Sequence, residues 1–187
     1  MEQGSHALPV SKRRLFFALW PDEALRHAIG RFAASLPAPR GARLVRADRL
    51  HLTVAFLGDF DPLTDTTLAA IQSAAASVRA PCFEMSLDHV GHFAGSRVAW
   101  LGPRTAPVAL TALHDALTTA LHAAGVPLTS PTPFVPHVTI QRNVRAPMAA
   151  SEIPPLPWRV SDFVLVQSVP GSPEAYRIVG DWPLATG

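Results

Sequence analysis

The chain carries the stretch HLTV at residues 51–54 and a second version of it, HVTI, at residues 137–140. Each copy lies in a run of apolar and β-branched residues that predicts a strand. Side chains of a strand alternate between its two faces, so His51 and Thr53 share one face, and the second copy repeats the arrangement. If the two strands lie close together, two imidazoles and two hydroxyls surround one small space. This set of groups suits acid–base chemistry on a phosphate.

The repetition is what makes the pattern informative. A single histidine in an apolar strand is more often a hydrogen-bonded core residue than a functional one. Two matching copies, half a chain apart and in similar apolar surroundings, favour a functional pair instead. His51 and His137 are therefore the candidate acid–base residues, and Thr53 and Thr139 are the candidate donors to phosphate oxygens.

Arg142 is a further candidate, with a geometric difficulty. It follows His137 by five positions, so in a regular strand its side chain points to the opposite face. A bulge or the end of the strand could return it to the face of the histidine. A surface salt bridge and a phosphate contact are both open for this residue.

The composition permits an anionic substrate without requiring one. The chain has 187 residues, a net charge of +2 and 48% hydrophobic residues, enough for one domain or two half-domains that share a core. Lys12 is the single lysine among 16 basic residues, and guanidinium groups hold phosphate through two donors at once. Cys82 is the single cysteine, which excludes an intrachain disulfide and a cysteine-based zinc site. No apolar stretch spans a bilayer and no signal-peptide core is present, so we expect a cytoplasmic protein without a membrane partner.

The order of predicted elements favours the α+β class. We expect residues 1–12 to form a mobile tail and residues 13–187 to form one domain, with a proline-rich loop at 147–157. Helices mixed with hairpins argue against a parallel doubly wound sheet and suggest two similar halves. The predicted elements are strands at 14–20, 134–141, 158–169 and 176–184, extended chain at 43–57, helices at 21–36, 64–78 and 108–124, and a hairpin at 82–101.

Four stretches together resemble a known family. They are RLFFALWP (14–21), HLTVAFLG (51–58) preceded by Arg49-Leu50, FVPHVTIQR (134–142) and FVLVQSVPGSPEAYRIVGDWPL (163–184). The chain resembles the 2H phosphoesterase superfamily, specifically the bacterial and archaeal RNA 2′,3′-cyclic phosphodiesterases, also called 2′-5′ RNA ligases, over about residues 13–184. The resemblance implies two pseudo-symmetric lobes of mainly antiparallel sheet flanked by helices, with the motifs facing each other across a central cleft.

The resemblance also implies an activity and a role for each residue. The family hydrolyses 2′,3′-cyclic phosphates on RNA ends or nucleotides to 2′-phosphates, with His51 as the proton donor and His137 as the proton acceptor. Thr53, Thr139 and Arg142 would bind the phosphate. We expect a monomer that needs no metal and no cofactor. From the residues alone, either histidine can take either role.

Two other functions remain open from the sequence. The chain could be an RNA-end binding module without turnover, although such a module would not need two histidines. It could also be a 2H esterase for another phosphodiester, such as a 2′-5′ linkage, and the direction of the reaction in the cell, hydrolysis or ligation, cannot be read.

The remaining polar and aromatic residues receive structural interpretations. Arg40, Arg43, Arg46 and Arg49 could guide RNA into the cleft, but a solvated loop and strand edge is the favoured explanation. Phe56 and Phe134 have the wrong strand parity for the cleft, so core packing is favoured over base stacking. A metal site is disfavoured at the remaining histidines of the hairpin and the last helix, which are His89, His92, His114 and His122.

Overall fold

The computed structural model describes residues 12–129, 133–145, 148–171 and 176–186. These residues form nine strands, three α-helices and a 3₁₀-helix at Ala47–Arg49, which confirms the α+β class. The strands are β1 (Arg13–Leu19), β2 (Arg43–Leu44), β3 (Leu52–Phe60), β4 (Phe83–Phe93), β5 (Val98–Gly102), β6 (Val138–Arg142), β7 (Ser151–Val160), β8 (Asp162–Ser168) and β9 (Arg177–Pro183). The helices are α1 (Glu23–Ser35), α2 (Asp65–Ser77) and α3 (Val108–Ala123). Of the predicted tail, only Lys12 falls within the described residues, and it pairs with Asp59 at 3.6 Å.

The helices begin where the sequence supplies an N-cap. The Asp22 carboxylate accepts a hydrogen bond from the Leu25 amide at 2.8 Å at the start of α1, and Thr64 caps α2 in the same way. Such caps satisfy backbone donors that have no partner within the helix. Helix α3 has no side-chain cap and depends on its buried face, a stripe of Leu110, Leu113, Leu117 and Leu121.

All nine strands belong to one sheet, in which the two motif strands lie at the centre. The order is β7-β4-β5-β6-β3-β1-β8-β9, with the short β2 paired to β6. Each pairing between these strands is antiparallel. The sheet therefore divides into two four-stranded halves, and β6 and β3 are the innermost strands of the two. This agrees with the expected pseudo-symmetry.

The faces of the sheet have different coverings. One face packs on the helices, and the main core joins Leu52 and Val138 of the motif strands to helix residues such as Ile29 and Ile71. The opposite face carries the motif histidines and threonines. In one half of the sheet, that face is supported by a small cluster of Phe16, Ala18, Val164 and Val166.

The predicted proline-rich loop at 147–157 is wrong for most of its length. Residues from Ser151 onward form β7, although this strand contains three prolines. Strand β7 is the edge of the sheet, and proline is tolerated there because an edge strand leaves one row of backbone amides unpaired. Its pairing with β4 is also irregular where Pro154 and Pro155 occur.

The predicted strand at 158–169 is also wrong, because it is two strands in opposite halves of the sheet. Ser161 alone separates β7 from β8. One residue cannot cross a flat sheet of this width, so the sheet must curve to bring the two halves together. The Leu184 amide closes the junction by donating to the Ser161 carbonyl oxygen at 2.8 Å.

The predicted motif strands have different bounds in the structure. The extended segment at 43–57 is interrupted by the 3₁₀-helix before β3 begins at Leu52, and the predicted strand at 134–141 begins at Val138. Each motif histidine therefore lies one residue before its strand. The other predicted elements agree with the structure to within a few residues at their ends.

Candidate active site

One pair of residues fixes how the two motifs meet. Leu52 of β3 lies opposite Val138 of β6 in the antiparallel register. Continuing this register by one residue in each direction places His51 opposite Thr139 and His137 opposite Thr53. Leu52 and Val138 are fully buried on the helix face, so the histidines and threonines emerge on the other face. The structure thus brings the four predicted motif residues together, each histidine beside the threonine of the other copy.

The two histidines are held by the same local hydrogen bond. Nδ1 of His51 lies 2.7 Å from the carbonyl oxygen of Arg49, and Nδ1 of His137 lies 2.7 Å from that of Val135. A carbonyl only accepts, so Nδ1 of each ring carries a proton and donates it. The Nε2 atom of each ring is therefore the one left to exchange a proton with a bound molecule.

Aromatic rings enclose His51. Its imidazole stacks on Phe16 and on Trp20, with distances between ring centroids of 4.8 Å and 5.6 Å. The Tyr176 ring meets it edge-on, with the centroids 5.6 Å apart. Burial among these rings lowers the pKa of His51 to about 4, although the hydrogen bond to the Arg49 carbonyl opposes the shift and the charges of Arg142 and His137 add to it. His51 is thus neutral at neutral pH in the unbound protein.

His137 has a comparable but distinct enclosure. Phe93 meets its ring edge-on at 5.0 Å, and Trp100 lies at 6.1 Å. Burial is again the main cause that lowers the pKa of His137, with the Val135 carbonyl opposing and Arg142 contributing to the shift. Arg142 therefore lowers the pKa of both imidazoles.

Two glycines make room for the wall beside His137. A Cβ atom at Gly91 would come within 2.0 Å of the Trp100 indole, and one at Gly102 would come within 2.5 Å of the Pro136 carbonyl oxygen. The indole therefore lies across Gly91, and the segment leading into His137 passes directly over Gly102. Larger residues at these positions would displace the ring or the backbone that positions His137.

A bulge resolves the difficulty with Arg142. In the pairing of β5 with β6, Ala99 lies opposite Gln141 but Trp100 lies opposite Thr139, so Ile140 has no partner. The extra residue reverses the alternation of side chains, and Ile140 and Gln141 are consecutively buried. Arg142 consequently returns to the face of Thr139.

A second bulge lies at the equivalent position of the first motif. In the pairing of β1 with β3, Phe17 lies opposite Ala55 but Ala18 lies opposite Thr53, so Val54 has no partner. The parity prediction for Phe56 is therefore wrong, because the bulge turns Phe56 to the face of Thr53. Phe56 and Arg142 each follow their motif histidine by five positions, and they are structural equivalents.

The carbonyl of each bulged residue is bonded from outside the strand pair. The Nδ1–H of His114 in α3 donates to the Val54 carbonyl oxygen at 2.8 Å. The amide of Val45, directly after β2, donates to the Ile140 carbonyl oxygen at 2.9 Å. The carbonyl oxygens of the two bulges are therefore bonded by different segments, helix α3 in the first copy and the residue after β2 in the second.

The segment that completes the second bulge brings arginines to the site. A basic pocket of 590 Å³ opens beside His51, Thr139 and Arg142. The favoured prediction of a solvated loop for residues 40–49 is therefore incomplete, because three of its four arginines line this pocket. The full lining is Arg43, Leu44, Val45, Arg46, Arg49, His51, Thr139, Arg142, Asn143 and Tyr176.

The segment that completes the first bulge builds an aromatic wall. His114 stacks on Phe134 with ring centroids 4.2 Å apart and planes inclined by 2°. Phe134 packs against the main core, as predicted, and it also faces a cavity. This apolar pocket of 410 Å³ is lined by Thr53, Val54, Phe56, Phe93, His114, Pro133, Phe134, Val135 and His137.

Sequence reasoning gave no role in the site to Trp20, Tyr176 or His114. Trp20 follows β1 directly, and its contact with His51 depends on pairing across the sheet. Tyr176 comes from the far end of the chain, and the Arg49 guanidinium lies 5.1 Å from the centre of its ring. No local pattern marks these residues, since only the strand order brings them to the histidines.

Two observations concern the predictions about a metal site and a membrane partner. In the four described ranges, no group of three or more His, Cys, Asp or Glu side chains is arranged to hold a metal ion. Among the residues that the structure describes, no helix is long and apolar enough to cross a membrane.

The chain is similar to several known proteins. The model of the 2′-5′ RNA ligase superfamily matches residues 20–171. The RNA 2′,3′-cyclic phosphodiesterase of Escherichia coli is 35% identical over 160 residues, which cover 83% of this chain and 87% of that protein. The protein of the same name from Thermus thermophilus is 30% identical over 83% of this chain and 81% of its own length.

Solved structures show the same fold. E. coli LigT in its apo form superposes with a TM-score of 0.79 at 32% identity, covering 92% of this chain and 98% of that one. E. coli LigT complexed with 3′-AMP gives a TM-score of 0.78 at 34% identity, with the same coverage. From the matched family model and these relatives, the chain belongs to the 2′-5′ RNA ligase superfamily, whose members are 2H phosphoesterases.

Proposed function

We propose that this protein is a metal-independent phosphodiesterase that hydrolyses 2′,3′-cyclic phosphates on RNA ends or nucleotides to 2′-phosphates. The observation that carries the proposal is the register that sets His51 beside Thr139 and His137 beside Thr53 on one open face. The E. coli and T. thermophilus relatives are both named RNA 2′,3′-cyclic phosphodiesterase.

The two imidazoles supply the proton transfers. Opening the cyclic ester requires a base that takes a proton from water and an acid that protonates the leaving oxygen. We assign the base to His137 and the acid to His51, following the family. Nε2 of His137 takes the proton of the attacking water, and Nε2 of His51 gives a proton to the departing 3′-oxygen, so a 2′-phosphate remains. Each such transfer contributes about 10²–10⁴-fold to the rate.

The hydroxyls and the guanidinium bind the phosphate. Thr53 and Thr139 lie on either side of the central register pair, and their hydroxyls donate to the non-bridging oxygens, where negative charge accumulates. Arg142, which the Ile140 bulge turns to this face, adds a positive charge at the same group. Donors fixed before the reaction stabilise the transition state without a reorganisation cost.

The negative charge of the substrate allows one imidazole to be protonated and to act as an acid. Burial and Arg142 lower the pKa of both imidazoles in the unbound protein. An anionic phosphate placed between the rings and Arg142 offsets both effects, because a nearby negative charge favours imidazolium. Substrate binding therefore allows one ring to hold the proton that it donates.

One assay tests the reaction and its product. Purified protein is incubated with a 2′,3′-cyclic mononucleotide in excess EDTA, and ³¹P NMR identifies the phosphomonoester. We expect turnover in the presence of chelator and a dominant 2′-phosphate. Loss of activity on chelation, restored by one metal, would contradict the metal-independent mechanism. A dominant 3′-phosphate would mean that the roles of the histidines, or the orientation of the ribose, are reversed.

The setting of the enzyme is also part of the proposal. We place it in the cytoplasm as a monomer, where RNA ends with cyclic phosphates are its substrates. Ligation to a 2′-5′ linkage is the formal reverse reaction, with a 5′-hydroxyl in place of water. Cell fractionation and light scattering test the location and the oligomeric state.

A further inference from the structure

The arginines of the basic pocket exceed what one cyclic phosphate requires. The proposed mechanism uses Arg142 at the scissile phosphate, whereas Arg43 and Arg46 line the same 590 Å³ pocket and have no role in it. We propose that Arg43 and Arg46 form a second phosphate subsite, which binds the internal phosphodiester one nucleotide upstream of the cyclic end. The preferred substrate is then an oligonucleotide and not a mononucleotide, an inference that rests on the proposed function of the same site.

The pairing of β2 with β6 sets two like charges side by side. Arg43 lies directly opposite Arg142 in this register. Like charges at opposed positions of neighbouring strands repel and destabilise the pair. Both side chains are exposed, and neither forms one of the salt bridges found within the described residues. A phosphate bound beside Arg43 would offset this repulsion, because it places a negative charge next to the two guanidinium groups.

Arg46 brings a third guanidinium that can exchange partners. It pairs with Asp48 at 2.7 Å, and the two side chains are 65% and 42% exposed. Exposed ion pairs of this kind contribute little to stability, so a phosphate can compete for the guanidinium. Asp48 pairs with Arg46 alone, and within the described residues Arg43 and Arg142 form no salt bridge.

Hydrogen bonds fix the segment that carries Arg43 and Arg46 to the motif strand β6 and the residue after it. The Val45 amide bonds the Ile140 carbonyl oxygen at 2.9 Å, and the Asn143 side-chain amide donates to the Gly41 carbonyl oxygen at 2.8 Å. These bonds hold Arg43 on both sides. A positioned donor loses less freedom on binding than a mobile one does.

The position of Arg43 favours a separate phosphate over the scissile one. Its partner Arg142 is four residues along β6 from the central Leu52–Val138 pair. At about 3.3 Å per residue, and less at the bulge, the backbone at Arg43 is roughly 10–13 Å from the centre of the site. The backbone of Arg142 lies at the same level, so when its side chain extends inward to the scissile phosphate, Arg43 is left to bind a second phosphate at the outer end of the pocket.

The experiment compares substrates of two lengths. The kcat/KM is measured for a 2′,3′-cyclic mononucleotide and for a tetranucleotide that ends in the same cyclic nucleotide. The proteins are the wild type, Arg43→Gln, Arg46→Gln and a control, Arg159→Gln, which alters an exposed arginine on the edge strand β7. Circular dichroism checks the fold of each protein.

We expect the wild type to prefer the tetranucleotide by about tenfold or more. Arg43→Gln should remove most of that preference, Arg46→Gln part of it, and each should change the mononucleotide reaction by about threefold or less. The salt dependence of the tetranucleotide reaction should also change in Arg43→Gln. The logarithm of its kcat/KM falls with the logarithm of the salt concentration by roughly 0.7 per phosphate contact on a single strand. Losing one contact reduces the slope by that amount, and Arg159→Gln should behave as the wild type does.

A binding measurement separates this inference from the proposed function. Fluorescence anisotropy follows a labelled tetranucleotide that ends in a 2′-phosphate, which requires no turnover. If neither cyclic substrate is hydrolysed but Arg43→Gln weakens this binding about tenfold more than Arg159→Gln does, the proposed reaction fails and the subsite stands. Equal kcat/KM for both substrates in the wild type, or equal effects of Arg43→Gln and Arg159→Gln on the tetranucleotide, would overturn the subsite.

Discussion

In the first copy of the motif, the bulge at Val54 turns Phe56 toward the apolar pocket, whereas in the second copy the bulge at Ile140 turns Arg142 toward the basic pocket. In both copies the bulge lies at the third residue after the histidine. The side chain at the fifth position after the histidine differs, and with it the chemistry of the neighbouring pocket. A pseudo-symmetric frame therefore holds an asymmetric site.

The segments that close the bulges extend this difference. The Val54 carbonyl is bonded by His114, whose ring stacks on Phe134 and lengthens the apolar wall. The Ile140 carbonyl is bonded by the Val45 amide, which fixes a segment rich in arginine. A cyclic phosphodiester has a charged end and a less polar nucleoside, so it can distinguish the two sides although the histidines are nearly equivalent.

The largest effect is expected from removing either histidine. His51→Ala and His137→Ala should each lower kcat at least a hundredfold, since each removes one of two proton transfers. Both are measured with a cyclic mononucleotide, and circular dichroism checks the fold. If the site were functionally symmetric, the two losses would be equal, whereas distinct roles for acid and base allow them to differ.

A matched control for this pair is His92→Ala. The His92 ring lies in the same sheet and its Nε2 atom bonds the Val144 carbonyl oxygen at 3.1 Å, away from the motif pair. We expect this variant to keep most of its activity. Near-normal turnover of His51→Ala or His137→Ala would refute the two-histidine mechanism.

Local patterns in the sequence predict part of the fold and part of the site. The helices and the α+β class follow from periodicity and caps, because local patterns such as the leucine stripe of α3 specify them. The pair of motifs likewise makes His51 and His137 the candidate acid–base residues, a prediction that rests on a local pattern. These are features that a few consecutive residues determine.

The parts that failed depend on pairing between distant strands. A bulge at Val54 leaves no mark in the sequence, so strict alternation misplaced Phe56. The prolines of β7 predicted a loop, because only the sheet order shows that this strand is an edge where proline is tolerated. Tyr176 reaches His51 for the same kind of reason, through contacts that only the strand order creates.

A smaller loss is expected from the threonines. Thr53→Val and Thr139→Val should each lower kcat by about tenfold to a thousandfold, because each removes one donor to a developing oxyanion at nearly constant volume. The comparison between copies is sharpened by testing both under identical conditions. Thr119→Val, which alters an exposed threonine on α3, provides a control that should retain activity. Full activity of both motif variants would leave the threonines as strand residues without a role in the reaction.

The smallest expected effect, a shift of the pH optimum, tests the asymmetry most directly. The kcat/KM reports on the unbound enzyme, which needs one imidazole protonated and the other neutral. Burial lowers the pKa of His51 to about 4 and also lowers that of His137, so the optimum of the wild type should lie below pH 6.5. Arg142 lowers both values through its charge, and Arg142→Gln should therefore raise both and move the optimum to higher pH, with a reduced kcat/KM. Profiles of both proteins and of Arg159→Gln are measured with a cyclic mononucleotide between about pH 4 and pH 8. An unchanged pH optimum in Arg142→Gln would show that the guanidinium does not act on the imidazoles. Another group would then have to supply the positive charge on this side of the site.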